Sequence, residues 1–308
     1  MKILVMGAGA IGCYFGARLQ AAGEEVVFCT RGEHLRAMRE RGLEVASIRG
    51  DLKLPLVKAI ERPAEIAPYD LVLFCVKAYD TEAAGRAIAG CLKPGGAILT
   101  LQNGVENEAR LAAIFGADAV MGGNARAGVE LVAPGRIAHL STGHIDFGEL
   151  DGRESERSRA CAEAFRRAGI LGELTPRIMT LRWDKLIWNS AFNAVTTLTR
   201  RRVGEILDDP ESLNLVRTLM TETLTVARAE GADLGDDRID HYLAHSQKNL
   251  RGLKTSTQQD FEHGKRLEHE ALSGAVVRAA RRHGLSVPAT ESVYALLRLL
   301  DPGDRHGA

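Results

Sequence analysis

Six residues near the N-terminus, Gly7-Ala8-Gly9-Ala10-Ile11-Gly12, constrain the fold more than any other part of the chain. They follow the apolar run Lys2–Met6 and lead into a helical pattern over Ile11–Ala21, so the glycines sit where a strand turns into a helix. That order is the entry of a dinucleotide-binding unit. Gly7 permits the tight turn, Gly9 lets the backbone approach a pyrophosphate, and Gly12 lets helix and strand pack closely. Free N–H groups of the helix's first turn, together with the helix dipole, then hold the anion. A glycine-rich turn without a ligand is the competing explanation, and it has no need of this context.

The rest of the first half keeps the same rhythm. Val26–Cys29, Leu71–Val76 and Ala97–Leu101 read as apolar strands, Glu33–Arg41 and Thr81–Cys91 as helices. Strand and helix in turn predict a parallel sheet with right-handed crossovers. From Arg136 to Glu149 apolar and polar residues alternate, which predicts antiparallel strands at one edge, and a helix over Glu154–Ala168 completes this half. After Pro176 the strand signals stop. Trp183–Thr199, Pro210–Glu230, Asp237–Phe261, Glu268–His283 and a segment after Pro288 carry helical faces, and the tail from Pro302 is expected to fray. The expected architecture is α/β: an N-terminal Rossmann-type dinucleotide-binding domain over 1–175 and an all-helical substrate-binding and catalytic domain over 176–308.

Forty Lys and Arg balance forty Asp and Glu, which excludes a whole-molecule basic field for nucleic acid or acidic membranes. No apolar run reaches the roughly 18 residues of a membrane-spanning helix. Five scattered cysteines without a CxxC fit a reducing cytoplasm, as small apolar fillers. His241 and His245 have a metal-capable spacing but lack the intervening glutamate and a third ligand, so no metal site is expected. No GxSxG nucleophile elbow occurs.

About twenty residues past the glycine loop, an NAD site places Asp or Glu on the ribose hydroxyls. Here the run is Cys29-Thr30-Arg31-Gly32. With no carboxylate, and with Arg31 able to pair with a 2′-phosphate beside the Thr30 hydroxyl, the expected cofactor is NADP(H). A solvated loop charge is the alternative for Arg31. Lys77 and Asn103 each lie at the carboxyl end of a predicted parallel strand, the edge where open α/β sheets bind ligands. A strand-end lysine and a plain Asn-Gly turn would look the same.

Lys185, Asn189 and Asn193 recur every four residues and share one face of an otherwise apolar helix carrying Leu186, Ile187, Trp188 and Phe192. Unpaired buried polar groups cost about 1–3 kcal/mol each, so this face must meet water, polar partners or a ligand. A 2-oxo acid would satisfy it, and a desolvated ammonium suits proton donation to a developing alkoxide. An exposed polar stripe is the simpler alternative.

Further landmarks follow in order: Val76-Lys77-Ala78, Gln102-Asn103-Gly104, Trp183-Asp184-Lys185, Lys254-Thr255-Ser256 with Gln259-Asp260, Gly264-Lys265-Arg266-Leu267-Glu268 and Gly284-Leu285-Ser286-Val287-Pro288. With the glycine loop they make the chain resemble the ketopantoate reductase (2-dehydropantoate 2-reductase) family over nearly its whole length. The resemblance implies NADPH-dependent reduction of 2-dehydropantoate to pantoate, a step of pantothenate and coenzyme A biosynthesis. It implies that Lys185 is the general acid, that Asn189 and Asn193 hold the substrate, and that Ser256 donates to its carboxylate. Lys77 would contact the cofactor, Asn103 would sit between nicotinamide and substrate, and Glu268 would engage the substrate hydroxyl and the cofactor end. A carboxylate near Lys185 would also keep that lysine protonated. Ser256 and Glu268 are candidates on this ground alone.

Two runs depart from the family's pattern. Leu267-Glu268-His269-Glu270 stands where many members carry Thr-Glu-Ile-Asp, and Thr199-Arg200-Arg201-Arg202-Val203 is unusually basic and lacks an asparagine. Both lie near the family's substrate end, which leaves open another 2-oxo acid or a non-catalytic NADPH-binding sensor. Asn103 is expected to belong to the first half and Lys185 to the second, so catalysis is expected to need both. A homodimer is an assembly the sequence allows.

Overall fold

Alternate residues of the first strand, β1 (Lys2–Met6), feed two different cores. Ile3 and Val5 pack with Phe28, Leu71, Leu73 and Leu99, whereas Leu4 and Met6 pack with Val27, Val72, Phe74 and Ile98. A sheet covered on both faces therefore reads as continuous apolar runs rather than as alternation.

The computed structural model describes residues 1–303; the end of the tail expected to fray, 304–308, lies outside the described residues. The chain forms two compact units, Met1–Gln102 with Asn107–Ile178, and Asn103–Glu106 with the described residues from Met179 onward. In the first, β1 is followed by α1 (Ala10–Ala21), β2 (Glu25–Cys29), α2 (Gly32–Arg41), β3 (Leu43–Ser47), β4 (Leu52–Leu54), β5 (Lys58–Ile60) and β6 (Tyr69–Phe74). Then come α3 (Thr81–Ala87), β7 (Leu92–Thr100), α4 (Asn107–Phe115), β8 (Val120–Ala133), β9 (Arg136–Glu149) and α5 (Glu156–Arg167). The nine strands form one sheet in the order β4-β3-β9-β8-β7-β6-β1-β2-β5. Pairing is parallel from β8 through β5. This is the expected α/β arrangement, a parallel-dominated sheet with helices, followed by a helical region.

The edge expected at Arg136–Glu149 is different in the structure. That segment is one 14-residue strand, antiparallel to β8 and parallel to β3 on its other side, so β3 and β4 lie outside it. Its partner β8 opens with Val120-Met121-Gly122-Gly123-Asn124, in which two adjacent glycines and an asparagine mask the strand signal. The interior position is fixed by His139, whose ring stacks on Tyr14 with centroids 4.1 Å apart. His139 Nε2 lies 3.1 Å from the Ser141 carbonyl and Nδ1 lies 2.8 Å from the Ser47 hydroxyl of β3. His34 of α2 makes the second long-range tie, its Nδ1 accepting the Gly135 N–H at 2.9 Å in the turn between β8 and β9.

The second unit contains α6 from Met179 (the helix spans Ile178–Thr199), α7 (Val203–Asp208), α8 (Pro210–Ala229), α9 (Arg238–Asn249), α10 (Ser256–Glu262), α11 (Ser273–Arg282) and α12 (Pro288–Leu300). Pro210 opens α8 behind Asp209, which accepts the Ser212 N–H, and Pro288 opens α12, whose Ala289 and Thr290 N–H groups are taken by Glu222. Ile187, Phe192 and Val195 of α6 pack on Val216, Leu219 and Met220 of α8. The helix expected over Asp237–Phe261 is broken into α9 and α10, because Thr255 caps a new start by accepting the Gln258 N–H. The segment expected to be helical from Glu268 winds into α11 only at Ser273.

Burial lowers the pKa of both His34 and His139 below the ordinary 6.5. The fold holds both rings neutral, while the unfolded chain takes up protons as the pH falls through that value. Their stabilising contribution is thus complete above 6.5 and is lost towards their lower folded values, at no more than about 1.4 kcal/mol per pH unit for each proton. Thermal unfolding should show Tm declining below about pH 6.5, and His34→Gln should flatten that decline. An unaltered acid limb in the variant excludes His34 as a source of it.

Candidate active site

The glycine loop is fixed before any ligand is considered. The N–H groups of Gly7 and Ala8 both donate to the Cys29 carbonyl at the end of β2, and the Gly9 N–H donates to Gly7. Cys13, expected only as an apolar filler, gives its thiol proton to the Ala8 carbonyl at 3.2 Å, with His34 Nε2 3.4 Å from its sulfur. Burial pushes the Cys13 thiol pKa well up, so it stays a donor. His34 escaped the sequence reading, since a histidine three residues after Arg31 carries no motif.

Two glycines of this loop have opposite surroundings. A Cβ on Gly12 would lie 2.7 Å from the Gly7 carbonyl oxygen and 2.7 Å from Val5 Cγ1, so only hydrogen fits between helix and strand. A Cβ on Gly9 would meet nothing within 4 Å. The space beside Gly9 is the cradle a phosphate requires, and it adjoins the first turn of α1, where N–H groups have no intrahelical acceptor. Ala10 and Ile11 form that turn and Ala8 is buried beneath it. The residues present therefore fit a dinucleotide pyrophosphate.

Arg31 stands one residue before α2 as its N-cap, exposed, and its side chain makes no hydrogen bond or ion pair among the described residues. Thr30 donates its N–H to Ile60 and leads into it. Lys77 lies three residues past the end of β6, ahead of a short turn at Ala78–Asp80. After β7, the Gln102 amide donates to Thr81 Oγ1 at 2.8 Å and accepts from Thr100 Oγ1 at 2.9 Å, which fixes the strand's exit.

Asn103 does not belong with the sheet, contrary to expectation. Asn103–Glu106 forms part of the helical unit, and specific bonds hold it there. The Gly104 carbonyl accepts from Arg182 at 2.6 Å, and Val105 packs with Trp183, Leu186 and Ala275. Glu106 pairs with Arg278 at 2.7 Å. In consequence Lys185 Nζ donates to Asn103 Oδ1 at 3.1 Å. Asp184 faces elsewhere, accepting from Arg238 Nε and Nη2 and from the Tyr242 hydroxyl. Its role is to tie α6 to α9.

Asn189 and Asn193 are buried on α6. Ser256 is the exposed first residue of α10, held against α6 through the 2.7 Å bond between Thr255 and Thr196. Glu268 is buried ahead of α11, and its segment is anchored by the Leu267 N–H on Asp301. The two departing runs have structural employment. Arg201 pairs with Glu205, Arg202 donates to the Gly252 carbonyl, and Arg200 covers the Phe261 ring. His269 is buried 3.5 Å from Asp301, and Glu270 binds Arg278 and the Tyr294 hydroxyl. Among the described residues no group of three His, Cys, Asp or Glu side chains is placed to hold a metal, and no helix is long and apolar enough to cross a membrane.

The contrast between the two glycines can be tested directly. Gly9→Ala should leave Tm within about 1 °C of the parent but weaken dinucleotide binding at least tenfold, because the methyl occupies the cradle without touching protein. Gly12→Ala should lower stability by about 1–3 kcal/mol. Calorimetric titration and thermal unfolding check both; a Gly9→Ala protein that binds dinucleotide normally rules out the cradle.

Residues 3–152 match the family model described as ketopantoate reductase PanE/ApbA, and residues 177–301 match its C-terminal counterpart. A 2-dehydropantoate 2-reductase of Halobacterium salinarum is 34% identical over 301 residues, covering 97% of this chain and 98% of the relative. The crystal structure of a 2-dehydropantoate 2-reductase from Geobacter metallireducens is 36% identical with a TM-score of 0.93, covering 97% of this chain and 99% of the other. A PanE/ApbA family ketopantoate reductase from Ralstonia eutropha superposes with a TM-score of 0.92 at 33% identity, over 99% and 100% of the two chains. With both halves matched in order and near-complete coverage on each side, the chain belongs to the ketopantoate reductase family.

Proposed function

We propose that this protein reduces 2-dehydropantoate to pantoate with NADPH in the cytoplasm, serving pantothenate and coenzyme A biosynthesis. The observation that carries the reading is the 3.1 Å bond from Lys185 Nζ to Asn103 Oδ1 within one compact unit. It fixes an ammonium at the tip of a polar helix face, where a ketone oxygen needs a proton. Bound through Gly7, Ala8, Gly9, Ala10, Ile11 and Gly12, the nicotinamide cofactor supplies the hydride.

The chain's own residues do the remaining work. Lys185 donates a proton to the C2 oxygen as negative charge develops there, and Asn103 aims the ammonium by accepting one of its hydrogens. Asn189, Asn193 and Ser256 hold the oxo acid, and Glu268 takes its hydroxyl. Lys77 contacts the cofactor. Arg31 supports the choice of NADPH, since an exposed guanidinium with no partner among the described residues is available for a 2′-phosphate.

Two variants test the assignment. Lys185→Ala should lower kcat by roughly 10²–10⁴-fold, the range for loss of a general acid, with NADPH affinity retained. Arg31→Ala should weaken NADPH by about 1.5–3 kcal/mol and NADH little. A panel of 2-oxo acids ranked by kcat/KM tests the substrate. Normal turnover in Lys185→Ala removes the general acid, and equal losses for both cofactors remove the NADPH assignment.

A further inference from the structure

Within the glycine loop, the peptide joining Ala8 to Gly9 has the freedom to turn over, because Gly9 has no Cβ and accepts either sign of φ. Its orientation matters to an anion. In the structure the Ala8 carbonyl points inward, where it accepts the Cys13 thiol proton at 3.2 Å. Turned over, the same carbonyl would set its oxygen on the open side of the loop, where a Cβ on Gly9 meets nothing within 4 Å. An oxygen there would repel a phosphate by its negative partial charge.

A side chain from another element opposes that rotation. His34 lies on α2 and is 8% exposed. Its Nδ1 accepts the Gly135 N–H at 2.9 Å, and a backbone N–H can only donate, so this nitrogen carries no proton. The single proton of the neutral ring is therefore on Nε2. Nε2 lies 3.4 Å from Cys13 Sγ and hydrogen-bonds the backbone of Ala8. The Ala8 N–H is already spent on Cys29, so the group that Nε2–H meets is the Ala8 carbonyl. A turn 101 residues further along the chain thus dictates which nitrogen faces the loop.

We infer that His34 is a positioning residue for the cofactor: anchored on the Gly135 N–H, it holds the Ala8 carbonyl inward and keeps the cradle beside Gly9 open to a pyrophosphate. This rests on the dinucleotide half of the proposed reduction and not on the identity of the 2-oxo acid. Because NADPH and NADH share the pyrophosphate, His34 acts on both alike, whereas the effect expected of Arg31 is selective.

Calorimetric titration of the whole protein with each cofactor provides the test. His34→Phe fills the space of the ring without either hydrogen bond and should weaken NADPH and NADH about tenfold each, with the loss in turnover falling on KM for NADPH rather than on kcat. His34→Gln, whose amide can still donate to the Ala8 carbonyl, should recover most of that affinity. If His34→Phe does not fold, Cys13→Ala removes the other donor to the same carbonyl without enlarging a side chain; it should weaken both cofactors about threefold, and Cys13→Ser should restore them. A lowered Tm with unaltered Kd for both cofactors overturns the inference and leaves the imidazole a structural tie. A loss confined to NADPH overturns it as well, by placing His34 with Arg31. Titration reads binding alone, so the outcome does not depend on which 2-oxo acid is reduced; a parent protein that binds neither cofactor brings down this inference and the proposed reduction together.

Discussion

The hydrogen bond from Lys185 to Asn103 exists because four residues following a sheet strand are bonded into a helical unit. Arg182 on the Gly104 carbonyl, Val105 among Trp183 and Leu186, and Arg278 on Glu106 each fix one residue of that stretch. Gln102, the residue before it, is held by Thr81 and Thr100 instead. The chain therefore changes allegiance across a single peptide bond. A lysine alone on an apolar helix would swing freely on its four-carbon stem; an amide oxygen at fixed distance gives its ammonium a direction.

Much of the fold was legible because burial on both faces leaves a plain signature. β1, β2 and β6 are short apolar runs, and the glycine loop sits between strand and helix as its spacing requires. The 14-residue strands were less readable, since β8 carries two adjacent glycines near its start and β9 takes its position from His139, Tyr14 and Ser47, residues far apart in sequence. The split between α9 and α10 was hidden because a threonine cap competes with helical periodicity that continues across it.

The candidate site divides in the same way. Lys185, Asn189 and Asn193 announce themselves by spacing, and the glycines by context, because helix geometry converts spacing into a shared face. Asn103's packing was invisible, as nothing local tells an Asn-Gly turn which unit will bind its carbonyl. Ser256 and Glu268 came only from likeness to a family. The basic run at Arg200–Arg202 and the residues flanking Glu268 looked like substrate-end novelties, yet their side chains are engaged with Glu205, Gly252, Phe261, Asp301, Arg278 and Tyr294. Charge pattern reports that a group will find a partner, not which one.

The pinning of the glycine loop has a thermodynamic consequence. Two amides on the Cys29 carbonyl, a thiol on Ala8, and an imidazole held by Gly135 leave the loop little freedom. Its ordering entropy is incurred when the chain folds, so association with a dinucleotide demands little further loss of backbone motion. Binding should then be dominated by charge neutralisation and release of water, with a small entropic penalty from the protein. Loosening the imidazole would transfer that ordering cost from folding to association, leaving a site of the same chemical composition with a weaker grip.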